Sequence, residues 1–304
     1  MRTIRALGVL SALCAPPLSA QSRPADFVLE ALSRHAIVFL GDVHPIAEPK
    51  QILTEVINRQ DPATAIDLLA LEVAAEQQPF IDAYLRSAPE DTTLLVNNPR
   101  TLRSHWGASH DYLEVYRAVY RWNHAHPRRP ILISASDIRG WPIAPLTEMM
   151  AAGGFANRDE WMARSFASLS RAHPEWRILI FMGGYHGLQI GGGEVEVGQA
   201  KARFDSWFCG YLKEGGITVY TILTDARQDD GHGATRVFDE LASHGGGNFA
   251  TALDVATDSI RQPMHEVALE GYRLSFWPDR FPLRLAANAM IVLAASTPIT
   301  LLEQ

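Results

Sequence analysis

Cysteine is almost absent: the 304 residues contain two, Cys14 and Cys209. If Cys14 leaves with an N-terminal leader, no intrachain disulfide can form, and the core must hold without covalent staples. Positive charge is also scarce, with 27 Lys and Arg against 34 Asp and Glu for a net charge of −7, or −9 without Arg2 and Arg5. No basic run offsets this balance, which argues against nucleic acid or an anionic lipid surface as the partner. Long apolar runs are missing too. The longest candidate, Ala286 to Leu302, is interrupted by Thr297 and Pro298 and is too short to span a membrane. Familiar catalytic signatures are lacking: there is no Gly-x-Ser-x-Gly elbow, no Walker loop, no dinucleotide fingerprint, and His265-Glu266 has no second histidine four residues on.

What is present begins with a leader. Met1-Arg2-Thr3-Ile4-Arg5, the apolar Ala6 to Leu18 and then Ser19-Ala20 form the n-region, h-region and small-residue end of a secretory signal. Cleavage is expected near Ala20, with an exported, periplasmic or secreted product. Leu13 stands where a lipoprotein cleavage site needs a small residue, so lipidation of Cys14 is disfavoured. Residues 21–304, with 47% hydrophobic and 20% charged residues across the whole chain, suit one globular domain.

Strand-like and helix-like segments alternate along this domain. Apolar runs at 36–40, 68–73, 131–133, 178–182 and 217–223 read as buried strands, and Ala289 to Leu293 as a final one. Helices are expected from about Glu48, after the second strand, from about Asp111, over 158–173 and over about 199–213. Residues 183–198 read as a glycine-rich loop, and 225–248 as an exposed loop around one short helix. This alternation predicts an α/β fold with a mostly parallel central sheet covered by helices on both faces. The segment 86–130 exceeds what a simple crossover needs and is expected to cap the pocket. Cys209, among Trp207, Phe208 and Tyr211, reads as a buried small residue rather than a nucleophile.

Four of the strands end in an ionisable side chain beside a turn. The first runs into Gly41-Asp42-Val43-His44, the second into Glu72, the third into Asp137, and the fourth into Gly183-Gly184-Tyr185-His186. If the strands are parallel neighbours, these ends share the edge where open α/β sheets bind ligands. Two histidines and three carboxylates would then meet. Glu72 has apolar flanks on both sides and needs a partner if buried. Asp42 either orients His44 or caps the following helix, and Asp137 either joins the pocket or pairs with Arg139.

The strand followed by Gly41-Asp42-Val43-His44, the strand-ending Leu71-Glu72 and the later Gly183-Gly184-Tyr185-His186 resemble the erythromycin esterase and ChaN-like superfamily, with its TraB and Tiki relatives. The usual glutamate of the first motif is aspartate here. Glu72 to Gln78 with Asp82-Ala83-Tyr84-Leu85 looks like ChaN, whereas Trp106, Tyr120-Arg121-Trp122-Asn123 and Asp137 look like the esterase branch. The resemblance implies a hydrolase in which His44 or His186 is the general base on a water attacking an ester or related bond, with Glu72 orienting or sharing the proton. Asp42 and Asp137 would assist. In a Tiki-like variant, His44, Glu72 and His186 would hold a divalent metal. The alternative is a non-catalytic uptake protein binding haem or iron, with Tyr185 as one possible ligand.

Overall fold

The computed structural model describes residues 22–98, 101, 109–140, 157–226, 248–253, 261–263, 266–269, 272–277, 280–294 and 296–302. Trp106, the expected leader and most of the 225–248 loop lie outside these residues. The elements run α1 (Pro24–Arg34), β1 (Ile37–Asp42), α2 (Glu48–Arg59), β2 (Leu68–Ala74), α3 (Gln78–Arg86), α4 (Thr93–Val96), α5 (His110–Ala125) and β3 (Leu132–Asp137). They continue with α6 (Arg158–Ala172), β4 (Ile178–Gly183), β5 (Gly192–Val197), β6 (Ala200–Phe204), α7 (Phe208–Glu214), β7 (Tyr220–Ala226) and β8 (Phe249–Ala252). β9 (Arg261–Pro263), β10 (Glu266–Leu269), β11 (Tyr272–Trp277), β12 (Arg280–Pro282), α8 (Leu283–Ala286) and β13 (Ala289–Leu293) complete the described chain.

Seven strands form the central sheet in the order β3-β2-β4-β1-β7-β13-β8. All neighbours are parallel except β13 and β8. The four strands expected to end in functional groups therefore lie side by side and share one carboxyl edge. Period-two alternation gives the sheet two apolar faces. Val38, Leu40, Leu69, Leu71, Leu179 and Phe181 pack with residues of α1, α2, α3 and α5. Ile37, Phe39, Leu68, Ala70, Ile178 and Ile180 pack with Met162 and Phe166 of α6 and with Phe208 and Leu212 of α7. Helices cover both faces, as the sequence predicts.

Three expectations change. The helix expected at about 199–213 begins only at Phe208, because 192–204 forms the β5–β6 hairpin. Alternation explains the hairpin: Val195 and Phe204 are buried, while Lys201 and Arg203 meet Glu196 and Glu194 across the strands. A Cβ at Gly193 would clash with the Phe204 ring, so that glycine serves a close strand contact rather than a loose loop. β5 and β6 join β10 and β11 in a second, four-stranded sheet. The fifth strand starts later than 217, at Tyr220. The cap expected over 86–130 is not seen as such among the described residues, since α5 lies in the helical layer. Its Tyr112, Val115, Tyr116 and Val119 are buried in the main core. Cys209 is a buried free thiol, and burial pushes its pKa above the ordinary range.

Candidate active site

β1 brings Asp42 to the sheet edge opposite Gly183 of β4. Asp42 Oδ2 accepts from Tyr112 Oη at 2.5 Å and from His44 Nδ1 at 2.7 Å, while Lys50 Nζ lies 2.6 Å from Oδ1. Lys50 is fully buried and donates to the carbonyls of Val43, His44 and Ile46 at 2.8–2.9 Å. It therefore clamps the turn that carries His44. Its ammonium also sits 5.3 Å from the Tyr112 ring centre, which adds a cation–π contact. Burial alone would raise the Asp42 carboxyl, but the Lys50 charge and the His44 bond override it and hold it well below the usual carboxylate range. Asp42 orients the histidine, settling the choice against helix capping.

Glu72 stands between the two histidines. Its Oε2 lies 3.4 Å from His44 Nε2 and accepts from Gly183 N–H at 2.7 Å. The other oxygen, Oε1, lies 3.5 Å from His186 Nε2 and accepts from Arg158 Nη2 at 2.6 Å. Gly183 is required here, because a Cβ on it would approach within 2.9 Å of His44 Nε2 and 3.2 Å of Glu72 Oε2.

His186 comes from the single-turn helix Gly184–Gly187 after β4 and is buried. Its Nδ1 donates to Asp159 Oδ1 at 2.6 Å, and Arg158 Nη1 is 3.2 Å from Nε2. Asp159 Oδ1 also accepts the Phe208 N–H at 2.8 Å, which ties α7 to the site. Burial lowers the imidazole pKa, but Asp159 and Glu72 outweigh both burial and Arg158 and push it up to about 9. The two carboxylates thus favour the cationic ring, whose Nε2 lies between Glu72 Oε1 and Arg158 Nη1.

Asp137 joins the cluster through Arg158 rather than Arg139. Arg158 donates from Nε to Asp137 Oδ1 at 2.9 Å and from Nη2 to Oδ2 at 2.6 Å. Burial opposes the guanidinium charge, but Asp137 and Glu72 raise its pKa further above its ordinary value. The site straddles the sheet: Lys50 and Tyr112 reach it from the α2 and α5 layer, Arg158 and Asp159 from α6. His44, Glu72, His186, Asp42 and Asp137 all belong to this one cluster. Lys50, Tyr112, Arg158 and Asp159 are members the strand-end reading missed. Tyr185 is different, since it is 37% exposed with its ring 6.1 Å from that of Trp207.

The donor set does not fit a divalent metal on His44, Glu72 and His186. Arg158 occupies the lone pairs that such an ion needs on Glu72 Oε1 and faces His186 Nε2. Among the described residues, no group of three or more His, Cys, Asp or Glu is arranged to hold a metal ion. Nor is the charged floor the wide apolar face that haem requires.

The fold is shared with solved structures that include an erythromycin esterase. Two solved structures align over nearly the whole chain. A Bacillus cereus protein matches with a TM-score of 0.58 and 11% identity over 93% of this chain and 94% of its own. A mutant of the erythromycin esterase EreC, in its open conformation, matches with a TM-score of 0.56 and 11% identity over 93% and 99%. The haem-bound ChaN of Campylobacter jejuni reaches only 0.39, at 13% identity over 67% of this chain and 87% of its own. No family model matches the sequence, and no curated protein matches it significantly.

Proposed function

We propose that this protein hydrolyses an ester or related acyl bond, with His44 as general base on an attacking water. The observation that carries this reading is the asymmetry of the two histidines. His44 is pinned at Nδ1 by Asp42 and sets Nε2 3.4 Å from Glu72 Oε2, with 19% of its side chain exposed. His186 is buried and held as a cation between carboxylates. One ring is placed to take a proton, the other to stabilise negative charge.

In the proposed reaction, His44 Nε2 takes a proton from water as the oxygen attacks the carbonyl carbon. Asp42 on one side of the ring and Glu72 on the other stabilise the imidazolium that forms. The tetrahedral oxyanion faces the positive charge of His186 and Arg158. Its collapse breaks the acyl–oxygen bond, and the departing alkoxide takes the proton back from His44. Water and ester are thus converted to acid and alcohol, and no covalent serine is required. The fold shared with an esterase supports this reading. The leader-like stretch through Ala20 supports export of the chain.

A panel of activated esters and lactones tests it. Hydrolysis unaffected by a chelator and at least tenfold slower in Glu72→Gln supports the reading. No hydrolysis of any member, together with a saturable Soret shift on titration with haemin, would replace it with the uptake alternative.

A further inference from the structure

Beside the catalytic cluster, at the β3 end of the sheet edge, lies a cleft of about 250 Å³ lined by Ile138, Arg139, Asn157 and Trp161. Each lining residue is a chain neighbour of the cluster or one helical turn from it. Ile138 and Arg139 follow Asp137, Asn157 precedes Arg158, and Trp161 lies one turn further along α6. The cleft is thus built from the residues that flank the Arg158–Asp137 pair along the chain. Its volume suits one ring or a short acyl chain and is below that of a whole-ligand pocket, about 300–1,000 Å³. It has the size of a subsite.

Its chemistry is specific. Among the described residues, Arg139 forms no ion pair and no side-chain hydrogen bond, although other charges around the site are paired. The turn that presents it is fixed at both ends: Ile138 N–H donates to Asp137 Oδ1 at 2.7 Å and Gly140 N–H to Glu76 Oε1 at 2.9 Å. Gly140 adopts φ = 77°, which a side chain would strain. Trp161 is 42% exposed, and its indole meets no aromatic partner among the described residues. An indole and a guanidinium on a rigid turn recognise an apolar body that ends in a carboxylate.

We propose that Arg139 and Trp161 form a specificity subsite for the distal part of the substrate, an apolar or aromatic group bearing an anionic end. The inference rests on the hydrolase reading for its biological use, but binding tests it separately. The rim carries one cation against the acidic balance of the chain, so an acidic ligand is attracted here and repelled elsewhere. Asn157 supplies an amide at the cleft wall for a second polar contact.

Two measurements on the full chain decide it. The first is calorimetric titration with phenylsuccinate, which mimics the acid product. Saturable binding that weakens at least tenfold in Arg139→Ala and in Trp161→Ala is expected, with no change in Arg128→Ala. The second compares activated aryl esters of benzoate and of a benzenedicarboxylate half-acid. KM for the anionic ester should rise at least tenfold in Arg139→Ala, with kcat and the neutral ester within twofold of wild type. Phenylsuccinate binding without any ester hydrolysis would keep the subsite and remove the hydrolase reading. Hydrolysis with no binding, or with Arg139→Ala indistinguishable on both esters, overturns the subsite and leaves the His44 reading standing.

Discussion

Asp42 holds three partners on two oxygens, and its position depends on all of them. Lys50 supplies the opposing charge from a fully buried site, so replacing it with an apolar residue leaves a carboxylate stranded in the core. Breaking one side of a buried ion pair costs about 3–5 kcal/mol. Lys50→Met is accordingly expected to lose that much stability in urea titration, whereas the double change Lys50→Met with Asp42→Asn should recover part of it. A Lys50→Met protein as stable as wild type would show that the pair is not needed. His186 gives a pH signature of the opposite kind. Its folded pKa of about 9 exceeds the ordinary 6.5, so the stabilisation it brings is complete below pH 6.5 and is lost as pH rises through 9. The full shift corresponds to about 3 kcal/mol. Urea midpoints should fall between pH 6.5 and 9.5 in the wild type and stay level across that window in His186→Gln.

At the scale of elements, the strand ends were legible and the helix contributions were not. β1 to β4 are short apolar runs that stop at a polar residue, and a parallel neighbourhood follows from strand–helix alternation. Lys50, Tyr112 and Arg158 escaped because each lies on a helix, whereas the site was read from the strand ends alone. The signal was available: Lys50 shares a face with Leu53 and Ile57, and Arg158 with Met162 and Phe166, so each is a charge in a buried register. Tyr112 gave no such signal, since a tyrosine in a core stripe needs only some partner for its hydroxyl. The β5–β6 hairpin was hidden by its glycines, which suggested a loop although Glu194-Val195-Glu196-Val197 alternates as a strand does. Gly183 shows how an element end sets the site. In Gly183→Ala an α-hydrogen is replaced by a methyl 2.9 Å from His44 Nε2, and the partly exposed ring can move away. Misplacement of about 1 Å can cost about a hundredfold in rate. On the proposed hydrolase reading, Gly183→Ala should therefore lose activity of that order while its melting temperature changes little, and equal activity would show that His44 does not face β4 in solution.

At the scale of the whole molecule, the site exists only because two helical layers close on one sheet edge. The α2 and α5 layer fixes the Asp42–His44 pair, α6 supplies Arg158 and Asp159, and Glu72 touches both sets through its two oxygens. Neither layer alone would bring His44, Glu72 and His186 together. The fold is shared with an esterase at only 11% identity, so the reaction must be argued from this convergence rather than from likeness. The most direct test is the hydrolysis rate of the best activated ester in His44→Ala, measured with and without added imidazole. A fall of about a hundredfold or more, with melting unchanged and partial, saturable recovery in imidazole, is the predicted result. Wild-type activity in His44→Ala without imidazole would contradict the account.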